Sequence, residues 1–115
     1  MQRIIVTGAT SMIGVALIEE CIKHGTEVYA VVREGSKKRS RLPESSLIKF
    51  ADCSLEHLDR LPEMISQECD TFYHIAWGNT GENRNSSTEL QSRNIGYTLA
   101  AVKAAAALGC KRFIG

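Results

Sequence analysis

Apolar positions along the chain fall into two kinds of block. Short, mainly apolar runs, Arg3-Ile-Ile-Val-Thr7, Glu27-Val-Tyr-Ala-Val-Val32, Leu47 to Ala51 and Thr71-Phe-Tyr-His-Ile-Ala76, suit strands buried on both faces of a parallel sheet. Between them the spacing changes. From Met12, apolar residues recur at Ile13, Ala16, Leu17 and Cys21, with Glu19 and Glu20 turned outward, which predicts an amphipathic helix ending near His24-Gly25. Residues 34–46 are polar and include Gly35, Ser36 and Pro43, so they predict a loop with at most a short helix. Leu55, Leu58, Leu61, Met64 and Ile65 trace a second helical stripe, interrupted by Pro62. Residues 78–87 carry glycines, asparagines and serines and predict a loop. A long helix then runs from about Ser87 to Leu108 and stops at Gly109, and Lys111 to Gly115 begins a fifth strand. Strands alternating with helices predict an α/β fold, a doubly wound parallel sheet with right-handed crossovers and strand order 3-2-1-4-5.

The first strand-to-helix turn carries the most specific chemistry: Thr7-Gly8-Ala9-Thr10-Ser11-Met12-Ile13-Gly14. Gly8 permits a tight backbone turn. The helix N-terminus, where Ser11, Met12 and Ile13 stand, points unpaired N–H groups and a partial positive charge at the sheet edge, which suits a pyrophosphate. Gly14 lets the helix pack closely on the strands, and the hydroxyls of Thr10 and Ser11 can either cap the helix or contact phosphate. Glycines also close strand-to-helix turns in other α/β proteins, so a purely structural turn is the alternative. Position argues for a dinucleotide, because the turn lies on the first strand of a βαβ unit. No G-K-[ST] follows, which excludes a P-loop.

These residues resemble the extended short-chain dehydrogenase/reductase family, in particular its NAD(P)-dependent epimerase/dehydratase branch. The turn matches the family's T-G-x-x-G-x-x-G loop except that Ser11 replaces the middle glycine. Asp52-Cys53 is similar to the pair the family holds beside the adenine. Asp70 to Ala76 resembles its D-x-V-x-H-x-A strand, and Asn94 to Thr98 its N-V-x-G-T helix start, with Tyr97 in place of glycine. Ala104 to Ile114 resembles its A-x-x-x-G-V-x-R-F-V stretch leading into the fifth strand. The resemblance implies a Rossmann-type domain in which Ala76 and Trp77 lie at the cofactor edge and Asn94 supports the active site. Trp77 packs beside the nicotinamide or merely covers the core. The family's catalytic serine and its Tyr-x-x-x-Lys pair have no counterpart, since Lys follows none of Tyr29, Tyr73 and Tyr97 at that spacing. The resemblance thus implies that residues 1–115 are an incomplete dinucleotide-binding domain, without catalytic residues or the substrate-binding C-terminal part. Family members are two to three times longer, so the chain reads as a fragment or truncated product, inactive by itself.

Residues after the second strand choose the cofactor. An acid there accepts from a ribose hydroxyl and favours NAD, whereas an arginine accommodates the 2′-phosphate of NADP. Arg33 takes that place, with Ser36, Lys37 and Lys38 to complete an anion pocket, so NADP is expected over NAD. In the alternative, Arg33 extends into solvent and Glu34 turns inward to NAD. The same arginine disfavours a methyltransferase, which usually carries an acid there. A non-catalytic dinucleotide sensor or interaction module is the competing class of function.

Composition narrows the partners. One domain is what 115 residues accommodate, and a net charge of +1 provides no global field for nucleic acid or an acidic membrane. The local exception is Arg33 to Arg41, with five basic side chains against one acid. The four cysteines form no C-x-x-C pair or zinc pattern, which suits reduced thiols in the cytoplasm. No signal peptide and no apolar run of about 20 residues is present. His74 reads as a core histidine. A sheet that ends at its fifth strand, and a long apolar helix that pairs with its copy in dimeric family members, predict self-association. A small-molecule substrate is expected for the full-length parent.

Overall fold

The computed structural model describes residues 2–33, 35–75 and 88–115, with residues 88–94 described for their helical backbone only. Five parallel strands, β1 (Arg3–Thr7), β2 (Glu27–Val32), β3 (Ile48–Asp52), β4 (Thr71–His74) and β5 (Arg112–Ile114), form one sheet in the order β3-β2-β1-β4-β5. That is the expected order. β3 begins one residue later than its apolar run suggested and extends to Asp52, which pairs with Val32.

Each strand side feeds its own core. Ile4 and Val6 of β1, with Val28, Ala30 and Val32 of β2, face α1 (Met12–Lys23), and Leu42 closes that layer. On the other side Ile5, Tyr29, Val31, Ala51 and Phe72 face Leu58, Leu61 and Ile65, together with Ala101, Ala104, Ala105 and Leu108 of α3 (Thr88–Ala107). The two cores explain why β1, β2 and β4 contribute apolar side chains on both faces, whereas the edge strands β3 and β5 stay largely exposed. The stripe around Pro62 becomes a 3₁₀ segment, Leu55–Arg60, followed by one helical turn, α2 (Leu61–Met64).

Two expectations need correction. The buried face of α1 is only partly the Ile13-Ala16-Leu17-Cys21 stripe: Leu17 and Cys21 pack against the core, but Ile13 is 68% exposed and Ala16 is exposed, while Gly14 and Ile18 are buried and Val15 and Ile22 join the layer. The cause is Gly14. A Cβ built there would lie 2.1 Å from the carbonyl oxygen of Gly8, so only this residue can face the sheet so closely, and it sets the rotation of the whole helix. Met64 also leaves the core, at 46% exposure, because α2 ends there and the chain turns extended at Ile65.

Candidate functional site

The phosphate-loop residues meet at the C-terminal edge of β1. Gly8 has φ +69°, the left-handed conformation that favours glycine, and starts the turn. Ser11 caps α1: its Oγ accepts from Gly14 N at 3.1 Å and donates to Gly8 O at 2.7 Å. A serine cap of this kind contributes about 1 kcal/mol relative to alanine. Its backbone, φ −71° and ψ 164°, is ordinary extended chain, so the position does not require the glycine of the family pattern. Of the two roles open to the Ser11 hydroxyl, the structure shows the cap.

Ser11 N also bonds Gly8 O, at 3.1 Å. Among the described residues no backbone carbonyl accepts from Met12 N or Ile13 N, which open the helix. Both residues lie at the surface, Met12 89% and Ile13 68% exposed. A loop with a left-handed glycine, two free amides and the positive end of a twelve-residue helix fits a diphosphate.

The second part of the site lies across β2 and β3. Cys53 N donates to Val32 O at 2.8 Å, which brings the ends of these strands, Arg33 and Asp52, side by side. Ser36 N donates to Arg33 O at 3.0 Å, and Ser36 Oγ caps the 3₁₀ turn Lys37–Arg41 by accepting from Lys38 N. Arg33 and Lys37 are exposed and form no ion pair among the described residues. Asp52, exposed, pairs with Arg39, whose guanidinium lies 5.2 Å from the centre of the Phe50 ring. Cys53 is turned the other way: it is buried, and its Sγ donates to His57 O at 3.0 Å, so only its backbone can serve the edge.

Three residues that the sequence named only as part of the basic run, Arg39 and Arg41, or as the start of the loop, Thr7, complete the edge. Arg41 Nη1 donates to Thr10 O at 3.2 Å and ties the basic turn to the phosphate loop. Arg39 holds Asp52. Thr7 Oγ1 accepts from Ile75 N at 3.1 Å and meets His74 Nδ1 at 2.9 Å, clamping the end of β4 to β1. The threonine that opens the loop motif was the available signal for the clamp. A charge run without periodicity offered none for the two arginines.

Thr7 Oγ1 and His74 Nδ1 share a buried hydrogen bond whose donor is set by the imidazole tautomer. Burial pushes the imidazole below its ordinary pKa. The expected core role is therefore what the structure shows. An unfolded histidine takes up its proton near pH 6.5, whereas the folded one resists it to lower pH. The unfolded state thus binds more protons in that interval, and stability is full above about pH 6.5 and falls as the pH drops below it. Melting temperatures measured from neutral to mildly acidic pH should show this decline, and His74→Asn should flatten it. An equal slope in both proteins would remove His74 as its cause.

Ala76 and Trp77 lie outside the described residues, and Asn94 is described only as helical backbone. Tyr97, which stands where the family pattern has glycine, packs against the α3-side core and donates to Glu56 at 3.4 Å. Asp70 lies at the opposite end of β4 from the loop and accepts from Arg3 N at 2.8 Å, a structural tie. Among the described residues no cluster of side chains suits a metal ion, and no helix is long and apolar enough to cross a membrane.

Solved structures share this architecture. A UDP-glucose 4-epimerase from Thermus thermophilus in complex with NAD superposes with a TM-score of 0.77 at 20% identity, covering 97% of this chain and 36% of that one. The enzyme WbmG of Bordetella bronchiseptica, in complex with NAD, gives 0.76 at 24% identity, covering 96% and 36%. An epimerase from Methanothermobacter thermautotrophicus gives 0.74 at 22%, covering 97% and 34%. The chain spans about a third of the length of these structures. No curated protein matches it. At these identities the likeness establishes the fold, and a family model that matches residues 4–115 establishes more: the chain belongs to the NAD dependent epimerase/dehydratase family.

Proposed function

We propose that this chain binds NADP and is the dinucleotide-binding part of an epimerase, dehydratase or reductase. The complete enzyme passes hydride between the nicotinamide and a hydroxyl-bearing, sugar-like carbon. The observation that carries the reading is the pair of free amides at Met12 and Ile13, set at the sheet edge where the crossovers from β1 to β2 and from β3 to β4 diverge. Gly8 and Gly14 shape the backbone cradle, with Thr10 and Ser11 beside it. Arg33, Ser36 and Lys37 take the 2′-phosphate, and Asp52 and the Cys53 backbone border the adenine. Ala76, Trp77 and Asn94 belong to the nicotinamide end.

Related structures support the class of partner. One is WbmG in complex with NAD and UDP, and another is a UDP-galactose 4-epimerase. Arg33 is the reason to prefer NADP here. The chain's free thiols suit a reducing compartment such as the cytoplasm. The serine and Tyr-x-x-x-Lys pair of the family are not among these residues, so by this reading the chain binds without turning over. Calorimetric titration with NADP and NAD tests it. Saturable binding with NADP the tighter is expected; no heat with either cofactor would end the proposal.

Self-association belongs to the same reading. On α3, Ile95, Leu99 and Val102 are 59%, 58% and 43% exposed at helical spacing, an apolar stripe that a second copy of the helix would cover. Light scattering should report a dimer, and Leu99→Glu should weaken dimerisation by at least about tenfold, the scale of a central interface residue. A monodisperse monomer at high concentration would refute it.

A further inference from the structure

We propose that Cys69 and Cys110 are a disulfide-forming pair, closed by exchange with a low-molecular-weight disulfide and reopened by thiols, that fastens β4 to β5 at the end of the sheet away from the phosphate loop. Each cysteine sits three residues before one of two facing phenylalanines: Phe72 and Phe113 pair in register, and their rings stack at 5.5 Å. Below that pair the backbones stay bonded, with Lys111 N donating to Asp70 O at 2.8 Å and Cys69 N to Leu108 O at 3.2 Å. Cys110 N turns back to Ala105 O, so the ladder ends just above the two cysteines, and their segments lie beside each other at about the strand spacing of ~4.8 Å. A disulfide spans Cα atoms about 4.4–6.8 Å apart. Both side chains belong to the same apolar layer, Cys69 buried in it and Cys110 packed against it.

The remaining cysteines are placed elsewhere. Cys21 lies on α1, across the sheet, and Cys53 lies beyond β3 with its Sγ 3.0 Å from the His57 carbonyl, whereas the Cys69 thiol is held more loosely, 3.6 Å from Gln67 O. Cys110 is only partly buried. A groove of about 250 Å³, bordered by Ser66, Glu68, Ala107 and Gly109, opens beside the turn that carries it.

The exchange balances in two steps. The Cys110 thiolate attacks one sulfur of the small disulfide; the protein–reagent S–S bond forms, the reagent's own S–S bond breaks, and one reagent thiol leaves. The Cys69 thiolate then attacks the Cys110 sulfur and expels the second reagent thiol. Two protein thiols are oxidised, one disulfide is reduced, and the two protons end on the released thiols. Burial pushes the Cys69 thiol up to about 12 and raises that of Cys110. Asp70 faces both thiols and adds to the rise, as Glu27 does at Cys69, while Arg3 opposes it there. Closure is therefore slow at neutral pH and quickens as the pH rises.

The test is to incubate the folded chain with oxidised glutathione at mildly alkaline pH, alkylate the remaining thiols and map the peptides. A cross-link between Cys69 and Cys110 is expected as the first intramolecular bond, reversed by dithiothreitol. Cys69→Ser should halt at a glutathione adduct on Cys110. Because that variant could misfold, the map of the unmodified chain decides alone. An adduct on Cys110 that never resolves, a first bond between another pair, or two unreacted thiols would each overturn the proposal.

Discussion

Gly14→Ala is expected to destabilise the chain and abolish dinucleotide binding together. The added methyl group would stand 2.1 Å from Gly8 O and 2.9 Å from the Ala9 carbonyl carbon. Both are backbone atoms of the turn that holds the free amides, so no side chain can swing away to make room. Either α1 moves off the sheet, opening the layer formed by Ile18 and Val28, or the loop unwinds and Met12 N and Ile13 N lose their aim. Overpacking of this kind costs about 1–3 kcal/mol, occasionally more. For a domain of this size that lowers the melting temperature by roughly 5–20 °C. Differential scanning calorimetry with and without NADP reads both effects. Gly96→Ala is the control: the space around Gly96 is open, and it lies inside α3, where alanine is the better helix former. If Gly14→Ala melted like the parent and still bound cofactor, the close-packing account of the loop would be wrong.

Arg33→Ser should separate the two cofactors. A charge-assisted hydrogen bond to a phosphate is worth about 1.5–3 kcal/mol, so losing it should weaken NADP roughly 10- to 100-fold. NAD has no 2′-phosphate, and its affinity should stay within about twofold of the parent's. The change should also flatten the salt dependence of NADP binding, because an exposed arginine is screened. Lys37→Ser should act in the same direction, more weakly, since lysine offers a point charge without the planar fork of arginine. Titrations of both variants with both cofactors check this. Equal losses for NAD and NADP would show that Arg33 supports the loop rather than reads the phosphate.

β1, β2 and β4 were legible in the sequence because burial on both faces leaves a run of apolar residues, and the strand order followed from the handedness of the crossovers. The loop was legible through Gly8 and Gly14, whose lack of a side chain is itself the signal. The rotation of α1 was not, although its ends were. Periodicity weighs apolar residues and is blind to a glycine that must face inward, so Met12, Ile13 and Ala16 looked buried when they are exposed. Met64 misled for a related reason: spacing continues past the point where a one-turn helix ends. At the cofactor edge, Arg33 could be placed because it directly follows β2. Arg39 and Arg41 could not, since their contacts with Asp52 and Thr10 depend on a 3₁₀ turn whose path is set by the Ser36 cap.

The clamp between Thr7 and the end of β4 also bears on how the chain assembles. β1, made first, lies in the middle of the sheet, with β2 on one side and β4 on the other. β2 arrives after a single helix, but His74 is 67 positions from Thr7. As the polypeptide leaves the ribosome, one flank of β1 must wait open until most of the described sheet has been synthesised. The closure that completes the edge of the proposed cofactor site is therefore the long-range, slow event in folding.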